Sequence, residues 1–253
     1  MKVGFAGATH LGWCMAAGAA EKGFDCVMME HDKEAFKKCD LVFFTQDVSV
    51  GADGYGDMDE IRVAFDNMLK NCSDKAIVVN MAQVRPGMTA EMGMNANING
   101  MIRELYYQVE TLIYGKSFNR VAHPERFIVG SGYVNADGYI IHPLYKEFLS
   151  AWHCPIHVMS HRSAEMAKLA INMFLASSIS AARVLKNICL KSDADWMDVE
   201  QAMRSDSRIG QDAYIRPGDW KESKHLVRDI KTLRNLCFNY DLPETFFDAL
   251  EQA

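Results

Sequence analysis

The first 160 residues alternate between short apolar runs and longer segments whose apolar positions recur at helical spacing. Runs such as "KVGFAG" and "KAIVVNMA" end at a glycine or a turn, so they predict buried strands. The predicted strands cover residues 2–7, 25–30, 40–45, 75–82, 126–131 and 155–160. The predicted helices cover residues 11–22, 58–71, 89–97 and 143–152, and Asp57 is expected to cap the second of them. The alternation predicts a doubly wound α/β domain.

The pattern changes at Ser163. Residues 163–192 contain neither Gly nor Pro and are dominated by Ala, Leu, Ile, Met and Lys, which predicts one long helix. Further helices are predicted at 195–204, 223–240 and 243–252. We therefore predict an α/β domain over residues 1–160 and an all-helical domain over residues 161–253, joined by the long helix.

The composition is that of a globular protein, with 49% hydrophobic and 24% charged residues. A formal net charge of −6 argues against a general surface for nucleic acid or anionic membranes. The seven cysteines are scattered and never spaced C-x-x-C, which indicates reduced thiols. We expect no apolar run to be long enough to span a membrane, and His10 interrupts the apolar N-terminal stretch, so we expect a cytoplasmic protein without a signal peptide.

The first strand and helix are joined by a glycine turn in which one glycine is replaced. The dinucleotide fingerprint G-x-G-x-x-G is present as "GATHLG", with Gly7 at the tight turn and Gly12 where helix and strand pack closely. Thr9 stands where the middle glycine belongs, and its hydroxyl is expected to compensate by contacting a phosphate. The alternative is a βαβ unit that has lost its cofactor.

Glu30 follows the second predicted strand, where a carboxylate can hydrogen-bond the ribose hydroxyls and repel a 2′-phosphate. The sequence therefore predicts a Rossmann-type domain that binds NAD rather than NADP. The candidate cofactor-binding residues are Gly7, Thr9, His10, Leu11, Gly12, Glu30, Thr45 and Gln83.

Several segments, in order along most of the chain, resemble the UDP-glucose/GDP-mannose dehydrogenase family. "DLVFFTQDVSVGADGYGDMDEI" resembles its strand, T-P turn and D-G-x-x-D loop without the prolines, and "IVVNMAQVRPGMT" resembles its S-T-V-P-x-G-T strand. "YQVETLIYGKSFNRVAHPERFIVGSG" is similar to the N-P-E-F-L-R-E-G…P-D-R-V-V-I-G segment. "AEMAKLAIN" matches the helix A-E-x-x-K-x-x-x-N, and "SRIGQDAYIRPG" resembles D-x-R-I-G…Y-x-x-P-G.

The chain also departs from the family pattern. Family members carry a C-terminal domain that holds the nucleotide of the substrate, and no counterpart precedes Ala253. Where the family has G-G-S-C-x-P-K-D, this chain has "GDWKESKHLVRD", which places His225 at the nucleophilic cysteine and Asp229 at the aspartate. Tyr114 replaces the second glutamate of the N-P-E segment. The resemblance therefore implies a short member without the catalytic cysteine.

The family oxidises a primary alcohol twice, and the second oxidation passes through a thioester on the cysteine. Imidazole is a poor acyl carrier by comparison, since an acyl-imidazole hydrolyses readily. The first oxidation needs only a hydride acceptor, a proton acceptor and a group that stabilises an oxyanion. The resemblance therefore implies alcohol–aldehyde interconversion rather than full oxidation.

Lys168 and Asn172 lie four residues apart on the long predicted helix and so share one face. By the resemblance, Lys168 stabilises an alkoxide or transfers its proton, Asn172 orients substrate or water, and Glu110 acts as a base. Without the resemblance, they would be interpreted as a solvated lysine, a satisfied polar group and a surface acid. The candidate catalytic residues are Lys168, Asn172, Glu110, His225 and Asp229, and the candidate substrate contacts are Arg208 and Tyr214.

His153, His157 and His161 recur every four residues beside Cys154, a spacing that can bind zinc on a helix. Pro155 and the β-type run "IHVMS" argue against a helix there, and no acid lies within the cluster. We therefore expect no metal site.

Three functions are consistent with these patterns. The first is an NAD-dependent oxidoreductase acting on a sugar, a sugar nucleotide or a related hydroxy compound. The second is a non-catalytic, regulatory dinucleotide-binding protein, and the third is a 3-hydroxyacid-type dehydrogenase acting on a small acid. The long helix has more apolar residues than one intrachain face needs, and the family's equivalent helix forms a dimer core. We therefore expect a homodimer.

Overall fold

The computed structural model describes residues 1–51, 54–101, 103–110, 112–113 and 115–252. The chain divides into two compact units. The first comprises Met1–Ser49 and Gly56–Lys168, and the second comprises Val50–Tyr55 and Leu169–Ala253. This division falls inside the long helix, later in the chain than the boundary predicted after residue 160.

The first unit is built on a seven-stranded sheet in the order β2-β1-β3-β4-β5-β6-β9. The strands are β1 (Lys2–Ala6), β2 (Asp25–Met28), β3 (Leu41–Phe44), β4 (Ile77–Asn80), β5 (Glu104–Gln108), β6 (Phe127–Ser131) and β9 (Ile156–Ser160). The first five are parallel, whereas β6 pairs antiparallel with β5 and parallel with β9. A small hairpin of β7 (Val134–Asn135) and β8 (Gly138–Tyr139) follows β6.

Helices cover both faces of this sheet. They are α1 (His10–Glu21), α2 (Lys33–Phe36), α3 (Met58–Asn71), α4 (Met88–Ile98), α5 (Ser117–Ala122) and α6 (Pro143–Ser150). One buried cluster packs α1, α5 and α6 against alternate residues of the strands, including Phe5 and Phe43. The neighbouring residue Phe44 points to the other face and meets Phe65 of α3, with the ring centroids 5.3 Å apart. This is the predicted doubly wound α/β arrangement.

The second unit is helical apart from its loops, in the part that the structure describes. It contains the remainder of α7 (His161–Ser192), α8 (Trp196–Ser205), a short 3₁₀ helix (Trp220–Glu222), α9 (Lys224–Asn239) and α10 (Thr245–Gln252). Two small clusters form its core. One centres on Trp220, Ile230 and Phe247, and the other on Trp196 and Cys189. The predicted fold class, a Rossmann-type domain followed by helices with a long connecting helix, is confirmed.

Most predicted elements are present, with shifted ends. Asp57 caps α3 by accepting from the backbone N–H groups of Asp59 and Glu60, as expected. The second strand was predicted to reach Glu30, but β2 ends at Met28. The sequence did not reveal β5, α2, α5 or the β7–β8 hairpin.

One expectation about apolar runs was wrong. Among the described residues, α7 is long and apolar enough to cross a membrane, and 22% of its most apolar 18-residue window is buried. Core helices of soluble proteins meet the same criterion, so length and composition alone do not make α7 a membrane span.

Candidate functional site

The turn between β1 and α1 has the geometry that its glycines dictate. Gly7 adopts a φ of +116°, which side-chain-bearing residues rarely adopt. A Cβ on Gly12 would lie 2.1 Å from the carbonyl oxygen of Gly7, so only glycine fits there. The first turn of α1 contains no acidic residue. The positive end of the helix dipole is therefore left without a negative side chain from α1.

Thr9 is the N-cap of α1. Its Oγ1 accepts a hydrogen bond from the Gly12 backbone N–H at 3.1 Å and donates to the carbonyl oxygen of Thr45 at 2.7 Å. We expected this hydroxyl to contact a phosphate, but its single proton is used within the turn. Thr9 thus replaces the middle glycine by a capping residue, whose local hydrogen bonds stabilise the turn.

Glu30 and Thr45 flank the same turn. The Glu30 Oε1 accepts from the Gly7 backbone N–H at 2.8 Å. The Thr45 hydroxyl is buried and lies 3.1 Å and 3.0 Å from the carbonyl oxygens of Ala6 and Gly7. The contact with Gly7 holds the Glu30 carboxylate beside the turn, close to the position assigned to it from the sequence. Leu11 is buried in the core, and the His10 Nε2 lies 2.9 Å from the Ser117 Oγ.

A buried ion pair lies just beyond the end of β5. The Nζ of Lys168 donates to the Oε2 of Glu110 at 3.2 Å, and each side chain is 10% exposed. The Gln83 amide nitrogen donates to the same oxygen at 2.7 Å, and the Leu112 backbone N–H donates to Oε1. The structure thus brings together Gln83, Glu110 and Lys168, three candidates that are far apart in the sequence.

Opposing effects set the ionisation of Glu110. Burial of the carboxyl opposes ionisation and by itself raises the pKa. The positive charge of Lys168 and three donated hydrogen bonds outweigh burial, so the pKa of Glu110 lies below its ordinary value. Glu110 is therefore held as a carboxylate, and its first effect is to keep the Lys168 ammonium group in place.

A second buried carboxylate, that of Glu165, was not predicted as part of the site. Its two oxygens accept from the backbone N–H groups of Gly87 at 2.5 Å and Thr89 at 2.8 Å, at the start of α4. Burial raises the pKa of Glu165 above its ordinary value. Glu165 anchors the beginning of α7 to the α4 N-terminus, one turn before Lys168. It is the glutamate of the "AEMAK" motif, which could have identified it.

In the second unit, Asn172 and Asp229 form a buried polar cluster with Arg228. The Asn172 amide nitrogen donates to the Asp229 Oδ2 at 2.5 Å, and the Arg228 Nε donates to Oδ1 at 2.8 Å. The side chains of Arg228 and Asp229 are each 3% exposed. The sequence did not single out Arg228, although it stands at the lysine of the P-K-D motif.

The remaining candidates are at the surface of the second unit. His225 is exposed in the first turn of α9, and Tyr214 is 41% exposed. Arg208 is exposed and forms two hydrogen bonds with Asp206, at 3.0 Å and 2.6 Å. Tyr114 lies outside the described residues.

The histidine repeat at 153–161 does not lie on one helix, since His157 is in β9 and His161 begins α7. Among the described residues, no group of three or more His, Cys, Asp or Glu side chains is arranged to hold a metal ion.

Comparison with known sequences finds a family match in the helical part of the chain. Residues 162–253 match the profile of the UDP-glucose/GDP-mannose dehydrogenase family, central domain. The resemblance predicted from the sequence motifs is therefore confirmed, and the Lys168 and Asn172 positions fall inside the matched segment.

Relatives in this family cover both units. The chain is 29% identical over 218 residues to the UDP-glucose 6-dehydrogenase YwqF of Bacillus subtilis, covering 83% of this chain and 47% of that protein. It is 28% identical over 183 residues to a UDP-glucose 6-dehydrogenase of Pseudomonas aeruginosa, covering 70% of this chain and 40% of the relative. The chain thus spans about half or less of the length of these two relatives.

The fold of the family is also shared. A UDP-glucose dehydrogenase from the hyperthermophilic archaeon Pyrobaculum islandicum superimposes with a TM-score of 0.82 at 20% identity, covering 99% of this chain and 67% of that one.

The Lys168–Glu110 pair predicts a pH-dependent stability. In the wild type, the lowered pKa of Glu110 contributes stability above the unfolded-state pKa near 4.3, and this contribution is lost as the pH falls through the folded-state pKa. In Lys168→Met, burial acts unopposed by the lysine charge, so the variant should lose stability as the pH rises through that range. The difference in unfolding free energy should reach about 3 kcal/mol at pH 7, as measured by urea unfolding between pH 3 and 7.

The double variant Lys168→Met/Glu110→Gln is the matched control. This variant has no unpaired buried charge at the site, so most of the pH-dependent loss of unfolding free energy seen in Lys168→Met should disappear. Parallel pH profiles for the wild type and Lys168→Met would show that the two side chains are not coupled.

Proposed function

We propose that the chain is a cytoplasmic NAD-dependent dehydrogenase acting on CH–OH. It interconverts a primary alcohol and an aldehyde on a sugar, a sugar nucleotide or a related hydroxy compound. The observation that carries this proposal is the buried Lys168–Glu110 pair beyond β5, in a chain whose relatives are named UDP-glucose 6-dehydrogenases.

The β1–α1 turn suits the pyrophosphate of NAD. When NAD is bound, it supplies the hydride acceptor. Gly7 and Gly12 keep the backbone open, and the α1 N-terminus presents a positive dipole end without an acidic residue in its first turn. Glu30, held by the Gly7 N–H, supplies the negative charge that disfavours a 2′-phosphate. The residues assigned to the cofactor site are Gly7, Thr9, His10, Leu11, Gly12, Glu30, Thr45 and Gln83, of which Thr9 shapes the turn by capping α1 and Leu11 packs in the core.

Lys168 is the group assigned to the reacting oxygen. Its ammonium is fixed by Glu110, and a buried positive charge stabilises an alkoxide more strongly than an exposed one does. In the second unit, Asp229 engages the amide nitrogen of Asn172, which leaves the amide oxygen to accept from a substrate hydroxyl or water. Glu110 and Asp229 are thus positioning residues in this scheme.

His225 accounts for the restriction to one oxidation. It stands at the position of the family's cysteine, and it is exposed in the first turn of α9. The second oxidation of the family needs a thiolate that adds to the aldehyde before hydride transfer, and His225 supplies none, so the thioester route has no equivalent here. Arg208 and Tyr214 are assigned to the substrate loop, and Arg208 must release Asp206 to reach a substrate anion.

We also propose that the chain forms a homodimer through α7. The helix exposes large apolar side chains, among them Phe174 at 76%, Ile188 at 55% and Leu190 at 70%. Burying them against a second copy removes apolar surface from water. Sedimentation at micromolar concentration should give a dimer, and a monomer would contradict this assembly.

The enzymatic proposal predicts cofactor binding and lysine-dependent turnover. NADH should bind the purified protein about tenfold or more tightly than NADPH, since Glu30 opposes the 2′-phosphate. With NAD, UDP-glucose and a panel of simpler alcohols should be tested for NADH formation. Lys168→Ala should lower turnover by about 100-fold or more, whereas Lys191→Ala, an exposed lysine at the end of α7, should not.

The outcomes separate the three functions. NADH binding without turnover on any substrate would favour the regulatory dinucleotide-binding protein. Turnover restricted to small hydroxy acids would favour the 3-hydroxyacid-type dehydrogenase. If NADH does not bind, both dehydrogenase assignments fail.

A further inference from the structure

Arg228 is a buried cation whose hydrogen bonding is incomplete. Its side chain is 3% exposed, and its Nε donates to the Asp229 Oδ1 at 2.8 Å. Its Nη2 is buried and has no hydrogen-bond partner among the described residues. Buried guanidinium nitrogens are rarely left unpaired, because a donor without an acceptor destabilises the folded state. An acceptor from outside the chain would complete this site.

Asp229 is not available to supply that acceptor. Its Oδ1 already accepts from Arg228 and its Oδ2 from the Asn172 amide at 2.5 Å. Turning the carboxylate toward Nη2 would break the Asn172 bond. The two side chains therefore fix Asp229 between them, and the buried Nη2 of Arg228 is left without an acceptor from Asp229.

The start of α9 adds positive charge at the same end of the helix. Its first turn carries Lys224 and His225 and contains no acidic residue. Helix N-termini favour negative charge, so cations in the first turn oppose the helix dipole. Arg228 lies one turn further along, on the same face as Lys224, and side chains on a helix lean toward its N-terminus. A bound anion would stabilise this arrangement of positive charge.

We propose that Arg228 and the first turn of α9 bind an oxyanion group of the substrate, a carboxylate or a phosphate. This inference rests on the proposed dehydrogenase function and narrows its substrates to hydroxy compounds that carry such a group. Arginine suits the task because its planar fork offers two nitrogens to one carboxylate or phosphate, whereas the lysine of the family motif offers a point charge.

The test is calorimetric titration of the full chain without NAD, using inorganic phosphate, UDP and glycerate as probes. At least one probe should bind saturably to the wild type. Arg228→Gln should weaken that binding by about 10- to 100-fold, the loss expected for a charged hydrogen bond. Arg228→Lys, which keeps the charge beside Asp229, should lose less. Arg234→Gln makes the same charge change on α9 and should bind as the wild type does.

The probes identify the source of the oxyanion. Saturable binding of phosphate or UDP that depends on Arg228 would indicate a phosphoryl group, and binding of glycerate a carboxylate; both support the site. Absence of saturable binding by every probe, or equal binding by Arg228→Gln, would overturn it. If neither Arg228 variant folds, Lys224→Gln decides, because unchanged affinity in this exposed first-turn variant would also overturn the site.

Failure of this inference can be distinguished from failure of the proposed function. NADH titration of the wild type and Arg228→Gln reports the dinucleotide site separately. Anion binding without NADH binding would contradict the dehydrogenase function but leave the Arg228 site intact. NADH binding without anion binding would contradict the Arg228 site but leave the dehydrogenase function intact.

Discussion

The buried pair of Lys168 and Glu110 is the constraint on which the proposed chemistry depends. Two charges with side chains only 10% exposed are stable when each has its partner and its hydrogen bonds. Gln83 and the Leu112 backbone complete the Glu110 carboxylate, while Glu165 anchors the same end of α7 to the start of α4. The first turns of α7 are thus fixed to the sheet unit by two buried carboxylates. This anchoring makes Lys168 a preorganised cation rather than a flexible surface lysine.

The sequence specified much of the fold because periodicity and turn residues act locally. Local patterns predicted the strand–glycine–helix start, the cap at Asp57 and the long helix without Gly or Pro. The strand β5 was not predicted, since its buried residues are a single leucine, two tyrosines and Gln108 rather than an aliphatic run. Gln108 is tolerated in the core because its side-chain oxygen accepts from the Tyr145 hydroxyl at 2.6 Å. The Tyr145 hydroxyl lies on a helix 37 residues further along the chain, so no local sequence pattern around Gln108 indicates this hydrogen bond.

The candidate site was predictable only as far as family motifs reached. Lys168, Asn172 and Glu110 were assigned from motifs. The structure pairs Lys168 with Glu110, 58 residues away in the sequence, and Asn172 with Asp229, 57 residues away. Spacing along the chain does not encode such pairs. Arg228 was missed for the same reason, since an arginine on a helix is usually solvated and only its burial marks it. Thr9 shows the opposite case, in which local capping chemistry uses the hydroxyl that the motif had assigned to a ligand.

The proposed function is that of a dehydrogenase that carries out one oxidation rather than two. The Lys168 cation, the Glu110 carboxylate and the Asn172 amide are buried and hydrogen-bonded, whereas His225, which the motif comparison aligns with the family's cysteine, is exposed. The measurement that tests this most directly is the amount of NADH formed per molecule of alcohol substrate consumed to completion, with the product identified by mass spectrometry. The account predicts one NADH per substrate and an aldehyde. Two NADH per substrate and a carboxylate would contradict it.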